Sequence, residues 1–176
     1  MKQFKKAGIL IIFGVLIILV REYEWKEKIS QTPEIWGQAE LVRVVDGDTV
    51  VVNLAGKEEK IRIIGINTPE SVKPHSPVEC FGKEAAEHIT ELLSQKKVLK
   101  IETDPTQDTR DRHGRLLAHI FIDEVNIAEH MISDGYAYEY TYRDPYIYQT
   151  QYKDVENQAR RLEKGLWSPK TCNGKK

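Results

Sequence analysis

Val45 to Glu70 reads V-D-G-D-T-V-V-V-N-L-A-G-K-E-E-K-I-R-I-I-G-I-N-T-P-E. β-branched residues fill it in short runs, and turn-forming residues cut those runs apart. Leu41 to Val45 leads in as one strand, Asp46-Gly47-Asp48 is a turn, and Thr49 to Leu54 is a second strand. Ala55 to Glu59 forms another turn before a third strand from Lys60 to Ile66. Consecutive strands with connections this tight make a meander. Pro69, Pro74 and Pro77 fall within residues 67–81 and make that segment loop.

Beyond the loop the period changes. Ala85, Ala86, Ile89, Leu92 and Leu93 share one side at helical spacing, so Gly82 to Gln95 is expected to be a helix packed on the sheet. Val98 to Thr103 and Arg115 to Ile122 are expected strands, separated by a polar stretch from Asp104 to Gly114. Asn126 with Glu129 is a capping pattern ahead of a short helix that ends by Gly135. Tyr148, Tyr152, Val155, Ala159 and Leu162 mark a last helix, stopped by Gly165. Five short strands and three helices suit a small α+β domain with a closed or partly closed sheet, of which a five-stranded oligonucleotide-binding barrel is one example. Periodicity leaves the choice among such sheets open.

Residues 1–21 have a different character. Lys2, Lys5 and Lys6 precede the uncharged run Ala7 to Val20, which Arg21 closes. Fourteen residues is shorter than the roughly 20 of a usual membrane span and matches a signal-peptide core about as well. No small-residue cleavage site follows, so an export segment is expected, as an N-terminal membrane anchor or a signal peptide. Either places the rest of the chain outside the cytoplasm. Residues 22–38, with Pro33 and Gly37, read as a linker.

Residues 39–176 hold 20 Lys and Arg against 23 Asp and Glu. A broadly basic nucleic-acid coat is thereby excluded, and any phosphate binding must come from a local basic site. Cys80 and Cys172 are compatible with one disulfide in an oxidising compartment, with free thiols as the alternative.

Several residues carry chemistry as well as structure. Asp46 and Asp48 suit a hairpin turn on backbone grounds alone, yet carboxylates at a turn also suit Ca²⁺ or Mg²⁺, with Asn67 and Thr68 at the end of the third strand able to complete the shell. Arg62 lies between Ile61 and Ile63, on the face opposite both. In an open sheet that side is solvated; in a barrel it holds an anion or carboxylate near the mouth. Arg110, Arg112 and Arg115, with His113, occupy a polar loop where they are either solvated or grip phosphates. Tyr136, Tyr138, Tyr140 and Tyr142 alternate, as packing or as a platform for bases. Zinc spacing, a P-loop and a nucleophile elbow are absent from the sequence.

In order, Val-Asp-Gly-Asp-Thr, Arg62, Asn-Thr-Pro-Glu at 67 to 70, Gly82-x-Glu84-Ala85, Asp111-x-x-Gly114-Arg115 and Gly165-Leu166-Trp167 resemble the thermonuclease, staphylococcal nuclease-like, family. The resemblance covers residues 39–168 and leaves 169–176 as a C-terminal tail. It implies an oligonucleotide-binding barrel with three helices, a monomer, that hydrolyses phosphodiesters of DNA and RNA with Ca²⁺ and leaves 3′-phosphates. Asp48, Asn67 and Thr68, the last through its carbonyl, match the calcium ligands. Glu70 matches the glutamate that activates water, and Arg62 and Arg115 match the phosphate-gripping arginines. Arg112 and His113 stand where the type member has Lys and Tyr, and His113 adds pH sensitivity. Tyr140 and Tyr142 match its nucleotide-contacting tyrosines after a one-residue shift. Asn67 replaces an aspartate, so Ca²⁺ is expected to bind more weakly. The rival expectation is a non-catalytic nucleic-acid or protein-binding barrel at the cell surface.

Overall fold

The structure, a computed structural model, describes residues 35–71, 78–94 and 98–175. Strands β1 (Ile35–Asp46), β2 (Thr49–Leu54) and β3 (Lys57–Ile63) form the expected antiparallel meander. Ala55 and Gly56 turn β2 into β3 with φ of 52° and 84°, the doubly left-handed two-residue loop whose twist matches that of the strands it joins. After β4 (Ile66–Asn67) come helix α1 (Gly82–Ser94), β5 (Val98–Glu102), β6 (Leu116–Ile122), β7 (Val125–Asn126), α2 (Ile127–Ser133), β8 (Tyr138–Glu139) and α3 (Gln149–Arg161).

β1 is long enough to pair with β2 through Ala39–Asp46 and with β5 through Ile35–Glu40, bending at register shifts on both sides. β5 pairs antiparallel with β6, and β6 runs parallel to β3 from Ile61↔Leu116 to Ile63↔Ala118. That last pairing closes β1, β2, β3, β5 and β6 into the five-stranded oligonucleotide-binding barrel.

The inward positions are aliphatic: Val50, Val52, Ile61, Ile63, Leu99, Ile101, Leu116 and Ile120 are all buried. Each contributes about 1.5–3 kcal/mol on leaving water. α1 covers this core with Ala85, Ile89 and Leu93, and α2 with Ile127, Met131 and Ile132. Asn126 caps α2 by accepting from the Glu129 N–H at 3.2 Å, as the capping pattern requires.

Four details depart from the sequence reading. The third strand starts at Lys57, inside the expected Ala55 to Glu59 turn, because Lys57 to Glu59 pair with Leu54 to Val52 and the turn needs only Ala55 and Gly56. β1 begins at Ile35, inside residues assigned to the linker, because Ile35 to Gln38 pair with Glu102 to Lys100. The third strand breaks between Ile63 and Ile66, where Gly65 takes φ 84°. A side chain there would also meet the rings of Tyr152 and Tyr146 within 2.7 Å, so the break depends on glycine. Leu162, one of the residues whose spacing marks the last helix, is the C-cap of α3 and is 67% exposed. The run Ala7 to Val20 lies outside the described residues, and among those described no helix is long and apolar enough to cross a membrane.

Candidate active site

The Asp46-Gly47-Asp48 turn joins β1 to β2 and folds against the end of β4. Asp46 Oδ1 accepts the Asp48 N–H at 3.0 Å, which tightens the turn and points Asp48 inward. Asp48 is buried. Its Oδ2 accepts the Thr68 N–H at 3.2 Å and meets Arg62 Nη2 at 3.0 Å, while its Oδ1 accepts from Thr49 Oγ1 at 3.0 Å. The turn and the Asn67-Thr68 corner, twenty residues apart, are thus held by one carboxylate. Only glycine fits between them, since a Cβ on Gly47 would come within 2.8 Å of three Thr68 side-chain atoms. Burial first, and the neighbouring Asp48 charge second, push the Asp46 carboxyl up to about 6.

Arg62 opposes Thr49 across the β2–β3 ladder, which brings its guanidinium over Asp48. Its Nη1 also donates to the Ile63 carbonyl at 2.7 Å. Arg115 reaches the same place from the start of β6. Asp111 Oδ2 accepts from Arg115 Nε at 2.7 Å, and Asp111 Oδ1 accepts the backbone N–H groups of His113 and Arg115 at 2.9 Å. Arg115 Nη1 lies 3.4 Å from Thr49 Oγ1. Thr49 therefore links the two arginines, touching Arg115 directly and Arg62 through Asp48. Arg110 takes no part in this pairing; its Nη1 donates to Glu59 Oε2 and the Gly114 carbonyl, both at 2.9 Å.

Glu70 follows β4 on a loop fixed from the far side. The Glu70 N–H donates to Glu79 Oε2, and the Glu79 N–H returns to the Glu70 carbonyl, both at 2.9 Å. Cys80 then joins Cys172 in a disulfide across 92 residues, so the tail and the Glu70 loop are covalently tied. Leu166, Trp167 and Ala159 bury that junction with Cys172. Closing a loop of this length restricts the unfolded chain, and replacing both cysteines with serine is expected to cost about 2–4 kcal/mol in urea unfolding. Unchanged stability would count against a structural role for the bridge.

A cleft of ≈ 820 Å³ collects most of the remaining candidates. Arg62, Asn67, Arg112, His113, Arg115, Tyr140 and Tyr142 line it. Asn67 is placed by its pairing with Tyr138, and Tyr140 by donating its N–H to the Gly65 carbonyl at 3.0 Å. The Tyr140 and Tyr142 rings stand 6.4 Å apart, and Tyr142 is 64% exposed. Asp48 and Thr68 lie buried beside this cleft, bonded to its wall through Arg62.

The family of staphylococcal nuclease homologues matches residues 60–169. The chain belongs to the staphylococcal nuclease family. The thermonuclease of Staphylococcus hyicus is 33% identical over 166 residues, which cover 92% of this chain and 96% of that protein. The thermonuclease of Staphylococcus intermedius is 29% identical across the same shares of each. Endonuclease YncB of Bacillus subtilis is 34% identical over 84% of this chain and 72% of its own length.

For a member of the staphylococcal nuclease family, three residues that hold candidates or line the cleft escape motif reading. Asp111 sits in the quoted Asp-x-x-Gly-Arg motif, but only the folded turn gives it a task, holding Arg115. Glu79 anchors the Glu70 backbone from nine residues away, with no local signal in the sequence. Arg143 lines the cleft and lies over the Tyr142 ring at 5.4 Å; a charge next to the last alternating tyrosine was the available hint.

Proposed function

We propose that this protein is a calcium-dependent nuclease that hydrolyses phosphodiesters of DNA and RNA with little sequence preference. The observation that carries the reading is the convergence of Arg62 and Arg115 on Thr49 and Asp48 at one wall of the cleft. Two guanidiniums fixed by carboxylates on one side present their remaining N–H groups to a phosphate on the other. The names of the relatives, thermonuclease and endonuclease, support the same class of activity.

The donor set fits a hard cation. Asp48 offers a carboxylate, Asn67 an amide oxygen and Thr68 a carbonyl, an all-oxygen set, and the Thr68 N–H on the Asp48 carboxylate at 3.2 Å supports grouping them. Held by these residues, Ca²⁺ would supply positive charge to offset the negative charge of the phosphate. Glu70 takes a proton from the attacking water, the new P–O bond forms, and the P–O5′ bond breaks, O5′ taking a proton from solvent to leave as a 5′-hydroxyl while the other fragment keeps a 3′-phosphate. Arg62 and Arg115 donate to the equatorial oxygens, where charge develops. Tyr140 and Tyr142 offer rings to adjacent bases, and Arg112 and His113 neutralise flanking phosphates.

A calcium titration of the cleavage rate tests the metal assignment. Asn67→Asp restores one ligand charge and is expected to lower the Ca²⁺ needed for half-maximal activity by about tenfold. An unmoved midpoint would remove Asn67 from the ligand set. The Lys-flanked apolar run at the N-terminus and the disulfide both support an extracytoplasmic location, with residues 1–21 as the export segment or anchor.

A further inference from the structure

A second group of metal-ligating side chains lies away from the cleft, between α1 and α2. His88 projects from α1, and His130 and Asp134 from the last turn and C-cap of α2, one helical turn apart. His88 Nε2 and His130 Nε2 each stand 3.6 Å from Asp134 Oδ2, and one ligand atom from each residue lies within 4.8 Å of the others. None of the three lines the cleft.

The geometry points to a site for a divalent transition-metal ion of the zinc class, held by His88, His130 and Asp134. Ligands about 2.0–2.1 Å from a tetrahedral Zn²⁺ sit roughly 3.3 Å from one another, close to the two 3.6 Å separations here. Two imidazoles with one carboxylate favour Zn²⁺, Co²⁺ or Ni²⁺ over Ca²⁺, which prefers an all-oxygen shell.

A simple hydrogen-bonded cluster explains the arrangement less well. Among the described residues His88 Nε2 is buried with no hydrogen bond inside 3.5 Å, its contact to Asp134 Oδ2 at 3.6 Å being a long one, an uncommon state for a buried polar atom. Its ring is set by stacking on Tyr136, centroids 3.9 Å apart, and by the parallel His130 ring at 6.1 Å. Lys164 Nζ lies 3.4 Å from Asp134 Oδ1, which leaves Oδ2 facing the two histidines. The partially exposed edge of the cluster gives a metal-bound water room as the fourth ligand. The site is invisible in the sequence, because its ligands come from helices some forty residues apart and carry no zinc spacing.

Such an ion would pin α1 to α2. α1 begins at Gly82, packed directly under the Glu70 carbonyl, where a Cβ would approach within 2.6 Å. The expected consequence is stability rather than chemistry. The test is thermal unfolding of the purified full chain in saturating Ca²⁺, with and without added Zn²⁺, alongside the visible spectrum in Co²⁺. At a hundredfold excess over its dissociation constant, Zn²⁺ should raise the melting temperature by about 5–10 °C, and Co²⁺ should give d–d absorption. His130→Gln, on the more exposed histidine, and His88→Gln should each abolish the shift and the absorption. No shift in the wild type overturns the proposal. So does a shift that survives in His130→Gln, which would place the ion elsewhere.

Discussion

Replacing Glu70 with glutamine is expected to slow phosphodiester cleavage by about 10²–10⁴ while leaving binding of a single-stranded oligonucleotide within a few-fold of wild type. Glutamine keeps the shape of the side chain but cannot accept the proton that attacking water must lose. The backbone hydrogen bonds between Glu70 and Glu79 involve the Glu70 main chain, so they survive the change. Arg115→Ala should cost about 10²–10³ in rate, with a modest loss of binding. Its guanidinium is already oriented by Asp111, so little ordering remains to be done when a phosphate arrives. A binding module would give the reverse pattern: Glu70→Gln would change nothing and Arg115→Ala would act only through affinity. Measuring single-turnover rate and oligonucleotide affinity on the same preparations separates the two.

Asp104→Ala is expected to lower unfolding free energy by about 3–5 kcal/mol. Asp104 is buried at the end of β5, and its carboxylate accepts from the Ile147 N–H at 2.9 Å, the Thr106 N–H at 2.9 Å and Thr106 Oγ1 at 2.7 Å. His119 Nε2, on β6 and fully buried, lies 3.1 Å from the same carboxylate. Removing it leaves the fully buried His119 and the part-buried N–H groups of Ile147 and Thr106 without their acceptor at once, a buried donor left so costing about 1–3 kcal/mol. Burial alone would push the Asp104 carboxyl up, but the hydrogen bonds from His119, Ile147 and Thr106 outweigh it and hold the group below its ordinary value. The sign for pH follows from that depression. The contribution is complete above the unfolded value near ~3.9 and is lost as pH falls through the lower folded value. Urea unfolding at pH 7 should therefore show the full gap between wild type and variant, and the gap should narrow below about pH 4. A gap under 1 kcal/mol at pH 7 would refute this account of the corner. The same corner places the cleft, because Thr106 Oγ1 lies 2.8 Å from the Pro145 carbonyl and Gln107 Nε2 donates to the Asp144 carbonyl beside the tyrosine loop.

Much of the barrel was legible because it is local. The β1–β2–β3 meander follows from runs of Val and Ile between Asp-Gly and Ala-Gly turns, and α1 from the spacing of Ala85, Ile89 and Leu93. Its closure was not legible, since the parallel contact of residues 61–63 with 116–118 joins segments more than fifty residues apart. Nothing in either segment marks the other as a partner. The early start of β1 was hidden by Trp36 and Gly37, which break the alternation that identifies a strand.

Site residues divided along the same line. Alternation in β3 put Arg62 on the face opposite Ile61 and Ile63, yet its pairing with Asp48 depends on the β2–β3 register. As a charge pattern Arg110, Arg112 and Arg115 look equivalent, and only the resemblance of Asp111-x-x-Gly114-Arg115 to the family motif singles out Arg115. In the fold Arg115 is braced by Asp111, Arg112 lines the cleft, and Arg110 is held by Glu59 on a neighbouring strand. A charge pattern shows where guanidiniums are concentrated; only packing shows which one is aimed.

The most direct measurement is incubation of the purified full chain with single-stranded DNA and with RNA of the same sequence, in Ca²⁺ and then in EDTA, with the product ends identified. Cleavage of both in Ca²⁺ to fragments ending in 3′-phosphate, stopped by EDTA, is the predicted result. Intact substrate in Ca²⁺, or cleavage indifferent to EDTA, would contradict it.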